Sequence, residues 1–193
     1  FSIKPYRRRG RKWRAANRNS VFFPNLLLVK RPTWPNHVWA SDFTHISFHG
    51  KTLYLATVID LFTREIVGFS ALTTHSAVLV TQAFLSAIHK HPPPSVLHSD
   101  HGSEYCSKDY LAIIRNLGIE VSMSKKGAPW ENGYQESFYS QFKVDLGDPN
   151  RFQNLGELVY AVYQTIYSYN HSRIHTKLKM PPAIFAERHI ERS

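Results

Sequence analysis

Three acids stand apart from the other acidic side chains by their surroundings. Asp42 lies within "VWASDFTHISF" (38–48), an alternating run in which an unpaired carboxylate would be expensive. Asp100 ends the short apolar run "VLHS" and enters a glycine turn, with His98 and His101 on either side. Glu136 follows the loop Pro129-Trp130-Glu131-Asn132-Gly133. The step from Asp42 to Asp100 is 58 positions, and 35 residues separate Asp100 from Glu136. Gathered in one place, three carboxylates repel one another and raise the pKa of at least one member. Mg²⁺ or Mn²⁺ relieves that repulsion, because hard cations prefer oxygen ligands and keep positions open for water and phosphate. Two such ions about 3.5–4 Å apart activate a nucleophile and stabilise the leaving oxygen in phosphoryl transfer. Read singly, each acid has an ordinary alternative. Asp42 could be a satisfied structural acid, Asp100 a turn former with Gly102, and Glu136 an exposed helix-surface residue.

Several other side chains could serve a phosphodiester substrate. Lys143 lies seven residues after Glu136, two helical turns on and so on the same face. Lys125 and Lys126 open the loop before Glu136 and could grip phosphate. Trp130 could stack on a base, with core packing as its competing role. Asn132 suits a helix N-cap first and a substrate contact second. His98 and His101 form an H-x-x-H pair, but i and i+3 on a strand end point to opposite faces, which disfavours shared zinc. His98 is expected instead to steer the site through a hydrogen bond. Cys106 has no supporting base and is not read as a nucleophile.

These residues need a scaffold. Residues 38–48, 52–62 and 64–72 read as three strands joined by short turns, hence an antiparallel meander. Residues 76–91 have helical spacing, with Ser76 as N-cap and Pro92, Pro93 and Pro94 as the stop. A strand over 95–99, a helix over 107–118 and a strand over 119–124 follow. Helices over 134–146 and 155–170 complete the pattern. The order β-β-β-α-β-α-β-α-α predicts one mixed α/β sheet of five strands with helices on both faces. Ligand sites in such sheets gather where strand ends and crossovers diverge.

The 193-residue chain is 42% hydrophobic and 13% aromatic, enough for a core and unlike a disordered tail. Its single cysteine rules out an intrachain disulfide and suggests a reducing compartment. No apolar run approaches the length of a membrane span. Because Phe1 is not an initiator methionine, the chain is expected to be a fragment.

The net charge of +10 is concentrated in one place. Residues 1–36 hold ten basic side chains and no acid, among them Arg7, Arg8, Arg9, Arg11 and Lys12. The other 157 residues balance 14 basic against 14 acidic side chains. The division is therefore a basic arm or linker over 1–36, ordering on binding phosphate, and a folded core with a C-terminal helical extension over 37–193. A solvated tail or an address signal is the plainer reading of the arm.

The words around the acids carry a family resemblance. "WASDFTH" (39–45), "HSDHGSEY" (98–105) and "APWENGYQESFYSQFK" (128–143) resemble the three blocks of the D,D-35-E transposases and retroviral integrases. "TLYLATVIDLFTREIVGF" (52–69) and "YNHSRIHTKLKMPPAIF" (169–185) narrow the likeness to insertion-sequence transposases of the IS-three type. The resemblance covers roughly residues 34–188. It implies a ribonuclease-H-like fold, two Mg²⁺ (or Mn²⁺) ions on Asp42, Asp100 and Glu136, hydrolysis at an element end, and attack of the freed 3′-hydroxyl on target DNA. It also implies paired protomers and a cytoplasmic, nucleoid-associated bacterial setting. The family's helix-turn-helix region would precede this chain, so end-specificity is expected to be missing or weak. His101 stands where the family often has Arg or Asn, which puts any contact from that position in doubt. Two rival functions are a ribonuclease-H-type nuclease that only hydrolyses and an inactive DNA-binding module.

Overall fold

A computed structural model describes residues 23–124 and 133–190. Five strands form one sheet: β1 (Val38–Phe48), β2 (Lys51–Asp60), β3 (Ile66–Leu72), β4 (Val96–Ser99) and β5 (Glu120–Met123). Their spatial order is β3-β2-β1-β4-β5, with β1 to β3 antiparallel and β4 and β5 parallel to β1. The helices are α1 (Ala77–Ile88), α2 (Lys108–Asn116), α3 (Gly133–Leu146), α4 (Leu155–His171) and α5 (Pro182–Ile190).

Alternation along the strands sorts the side chains into two cores. Val38, Ala40, Ile46 and Phe48 of β1 and Val96 of β4 face Phe138, Tyr139 and Phe142 of α3 and Leu158, Val162 and Ile166 of α4. Trp39 and Leu97 point the other way, into a core with Leu79, Ala83 and Phe84 of α1 and Tyr110 and Ile114 of α2. Each fully buried large apolar side chain contributes roughly 1.5–3 kcal/mol relative to exposure. The mixed five-stranded sheet with helices on both faces is the architecture expected from the element order.

Several details differ from expectation. β2 stops at Asp60 and β3 starts at Ile66, because the Asp60 carboxylate accepts hydrogen bonds from the Phe62 and Thr63 amides at 2.7 and 3.1 Å. The Arg64 amide then donates to the Asp60 carbonyl at 2.8 Å, and Arg64 adopts φ 65°. Ser76 occupies the N-cap position of α1, but its side chain makes no capping bond; the caps that do form are Ser107 on α2 and Asn154 on α4. The end of the expected arm is not a free linker. Leu26 donates to Ser122 Oγ at 2.9 Å, the Met123 amide donates to Pro24 O, and Lys30 pairs with Glu120, so residues 23–30 lie along β5.

Candidate active site

The parallel pairing of β1 and β4 positions two of the acids. Val38, Trp39 and Ala40 pair with Val96, Leu97 and His98, so Asp42 on β1 and Asp100, just past the end of β4, each follow the last of these pairs by two residues. Neighbouring strands lie about 4.8 Å apart. Asp42 shares the parity of Val38, Ala40 and Ile46, so it belongs to the face that α3 covers. Asp100 follows β4 with the parity of Val96.

A buried polar network fixes α3 over this strand end. Gln135 is fully buried and donates to the Ala40 carbonyl at 2.7 Å, while its Oε1 accepts from Thr57 at 3.1 Å. One turn later, the Tyr139 hydroxyl donates to the Asp42 carbonyl at 2.7 Å and lies 2.8 Å from Thr57 Oγ1. Thr57 is the cross-strand partner of Asp42. Burial first, and the Asp42 carboxylate second, push the Tyr139 phenol well above its usual range, so it stays a neutral donor. Tyr105, whose hydroxyl lies 3.2 Å from Ser41 Oγ, is raised in the same way. Glu136 follows Gln135 in the first turn of α3 and is exposed. Lys143 is exposed two turns along the same flank.

The turn after β4 is shaped around Asp100. Its Oδ1 accepts the Gly102 amide at 2.8 Å. A Cβ at position 102 would sit 2.9 Å from Asp100 Oδ1, 3.0 Å from Glu104 Oε2 and 3.4 Å from Tyr105 Cδ2, so only glycine leaves this carboxylate where it is. Glu104 is held by His75 at 3.2 Å and by Ser103 at 3.0 Å, and His75 stacks on Tyr54.

Asp42, inside β1, and Asp100, just after the end of β4, therefore lie on paired strands, and α3, which bears Glu136, packs on β1 through Gln135 and Tyr139. The three carboxylates are not closed into one set: among the described residues, no group of three His, Cys, Asp or Glu side chains stands close enough to hold a metal ion. An all-carboxylate donor set matches a hard divalent cation and no softer metal. His98 and His101 go to separate partners, Nδ1 of His98 to Ser122 Oγ at 2.8 Å and Nδ1 of His101 to the Ser124 carbonyl at 2.7 Å. Lys125, Lys126, Trp130 and Asn132, and Arg7, Arg8, Arg9, Arg11 and Lys12 of the arm, lie outside the described residues.

Sequence reasoning missed Thr57, Gln135 and Tyr139. A signal was present: Gln135, Tyr139 and Phe142 fall on one helical face with Phe138, and a glutamine on such a face must find buried partners.

Known proteins resemble the chain closely. An integrase core domain family matches residues 32–129, and a second integrase core domain family matches residues 117–182. The transposase for insertion sequence element IS904 of Lactococcus lactis subsp. lactis is 37% identical over 182 residues, spanning 92% of this chain and 69% of that protein. Transposase InsF for insertion sequence IS3A of Escherichia coli is 38% identical over 113 residues, spanning 58% and 39% respectively. The HTLV-2 integrase catalytic core domain in complex with magnesium superposes with a TM-score of 0.68 at 19% identity, covering 81% of this chain and 99% of that one. A simian T-cell lymphotropic virus intasome chain gives 0.73 at 20% identity over 82% of this chain and 56% of its own. At those identities the structural likeness is one of fold.

Proposed function

The chain belongs to the integrase-core family of insertion-sequence transposases, and from that premise we propose that it cuts DNA at an element end and joins the freed 3′-hydroxyl to target DNA. It is a DNA transposase catalytic domain of ribonuclease-H-like fold. Asp42, Asp100 and Glu136 would hold two Mg²⁺ or Mn²⁺ ions. When bound, such ions supply Lewis-acid polarisation of the scissile phosphate and a lowered pKa for attacking water. The observation that supports this assignment is the parallel pairing of β1, which bears Asp42, with β4, which Asp100 follows, beside the helix that bears Glu136.

The protein's own part is positioning. Gln135 and Tyr139 clamp α3 to the β1 backbone on either side of Asp42, so Glu136 enters from a rigid element. Lys143, on the Glu136 flank, contacts the DNA backbone. Lys125, Lys126, Asn132 and Trp130 contact DNA beside the acids, and Arg7, Arg8, Arg9, Arg11 and Lys12 grip phosphates farther out. Structural neighbours are described as an intasome and as a trimeric form, which supports a homo-oligomer as the working species. Among the described residues no helix is long and apolar enough to cross a membrane; a cytoplasmic, nucleoid-associated location fits the transposase relatives.

The test uses a duplex ending in a free 3′-hydroxyl, supercoiled plasmid and Mg²⁺. Asp100→Asn abolishes joining and leaves duplex binding unchanged. Wild-type joining by that variant refutes the assignment, and hydrolysis without joining by the unaltered chain favours a simple nuclease.

A further inference from the structure

Beside α3 lies a groove of about 760 Å³, walled by the first turns of α3 and by the segment after α4. Gly133, Tyr134, Ser137 and Gln141 line it from α3, whereas Glu136 does not. At 100° per residue, the α3 residues that line the groove, Ser140 among them, fall between about 40° and 200° around the axis from Glu136, so the groove lies beside Glu136 on the same helix. The groove is cationic: Arg64, Arg173, His175 and Lys177 line it, and no carboxylate does among the described residues.

Arg64 is the unexplained member. It is 6% exposed, and its Nη1 is buried with no hydrogen-bond partner. A guanidinium never gives up its charge, so a buried one without a partner is costly. Its position is enforced. Its amide donates to Asp60 O, its carbonyl accepts from Tyr169 at 3.1 Å, and its Cζ stands 4.1 Å from the Tyr134 ring centre. Asp60, the nearest acid, spends its carboxylate on the amides of Asn36, Phe62 and Thr63. Arg173 is pinned at the rim by Asp145 at 2.8 Å. Lys177 is exposed in a turn closed by the pairing of His175 with Met180. Burial, then the charges of Arg64, Lys177 and Arg173, hold His175 below its ordinary pKa, a sign of local positive potential. The N-terminus of α3 adds its own partial positive charge at Gly133 and Tyr134.

We propose that this groove is a nucleic-acid phosphate site, in which Arg64 and Lys177 grip a DNA backbone beside the helix that carries Glu136. The proposal rests on the reading that the chain acts on DNA. Its test is run in EDTA, so that loss of metal-dependent joining and loss of groove binding are separate results.

Binding of a fluorescent 12-base-pair duplex to the full chain is followed by anisotropy across a salt series. Lys177→Glu is compared with Lys51→Glu and Arg64→Gln with Lys51→Gln, the same charge changes on the β1–β2 hairpin. Groove variants are expected to weaken binding several-fold beyond their controls and to lower the salt slope by about one unit each. Lys177→Glu binding as its control does would overturn the proposal. If Arg64→Gln fails to fold, Lys177→Glu and a second readout decide. That readout is the His175 imidazole titration by NMR, which moves upward on adding duplex if phosphate enters and stays fixed if the proposal is wrong. Pyrophosphate, as a free phosphate source, is expected to displace duplex only weakly; displacement as effective as that by unlabelled duplex would make this a small-phosphate site and overturn the assignment to DNA.

Discussion

Replacing Gly102 with alanine separates folding from chemistry. The added Cβ would stand 2.9 Å from Asp100 Oδ1 and 3.0 Å from Glu104 Oε2, where ordinary contact begins at 3.4 Å. Both obstructing atoms are side-chain ends, so the backbone can stay and the carboxylates give way. Asp100 Oδ1 must retreat by about 0.5 Å, weakening its 2.8 Å bond to the residue-102 amide. Weakening one such bond costs about 1 kcal/mol, partly offset by about 0.5 kcal/mol from the stiffer unfolded chain. Activity should suffer more, because a misplacement of about 1 Å at a reacting centre can cost about 100-fold. The expected outcome is stability within about 1 kcal/mol of wild type, read by urea titration. Single-turnover strand joining should fall by about 10-fold or more. A folded Gly102→Ala protein that joins at the wild-type rate would refute the claim that this turn exists to place Asp100.

Gly68→Ala should behave in the opposite way, because its Cβ would lie 2.5 Å from the Ala83 carbonyl and 2.6 Å from the Ala87 amide, both backbone atoms of α1. A loss of about 2–3 kcal/mol in urea denaturation is expected, and a neutral result would mean α1 can slide off β3 freely. Glu65 is raised to about 7, first by burial and then by the Asp60 charge, with Glu187 adding and His171 opposing. The folded state therefore binds more protons than the unfolded state between about pH 4.5 and 7, and stability falls as pH rises through that window. Glu65→Gln should flatten that fall and gain roughly 1–3 kcal/mol at pH 8 while matching wild type near pH 4; superimposable pH profiles would contradict the burial argument.

The strands were legible because β1 alternates clearly from Thr44 to Phe48 and the runs that follow are apolar and separated by turn residues. The approach of Asp42, within the first strand, and Asp100, closing the fourth, could be read as a possibility if those two strands were neighbours, and they are paired. What escaped was interaction at long sequence separation. The Asp60 turn ends β2 through its own carboxylate, although Leu61 and Phe62 continue the apolar run. Ser76 looked like a cap, yet its side chain makes no capping bond. Gln135 and Tyr139 looked like polar decoration until their partners on β1 and β2 were known. Arg64 entered the sequence reading only as the first residue of the third strand; its burial against Tyr134 and Tyr169 depends on α3 and α4, far along the chain.

The central claim is tested most directly by anomalous diffraction from crystals of the chain bound to an element-end duplex and soaked in Mn²⁺. Two manganese peaks about 3.5–4 Å apart, bounded by Asp42, Asp100 and Glu136, are expected. Manganese bound elsewhere, or none between those carboxylates while the DNA end lies in place, would contradict it.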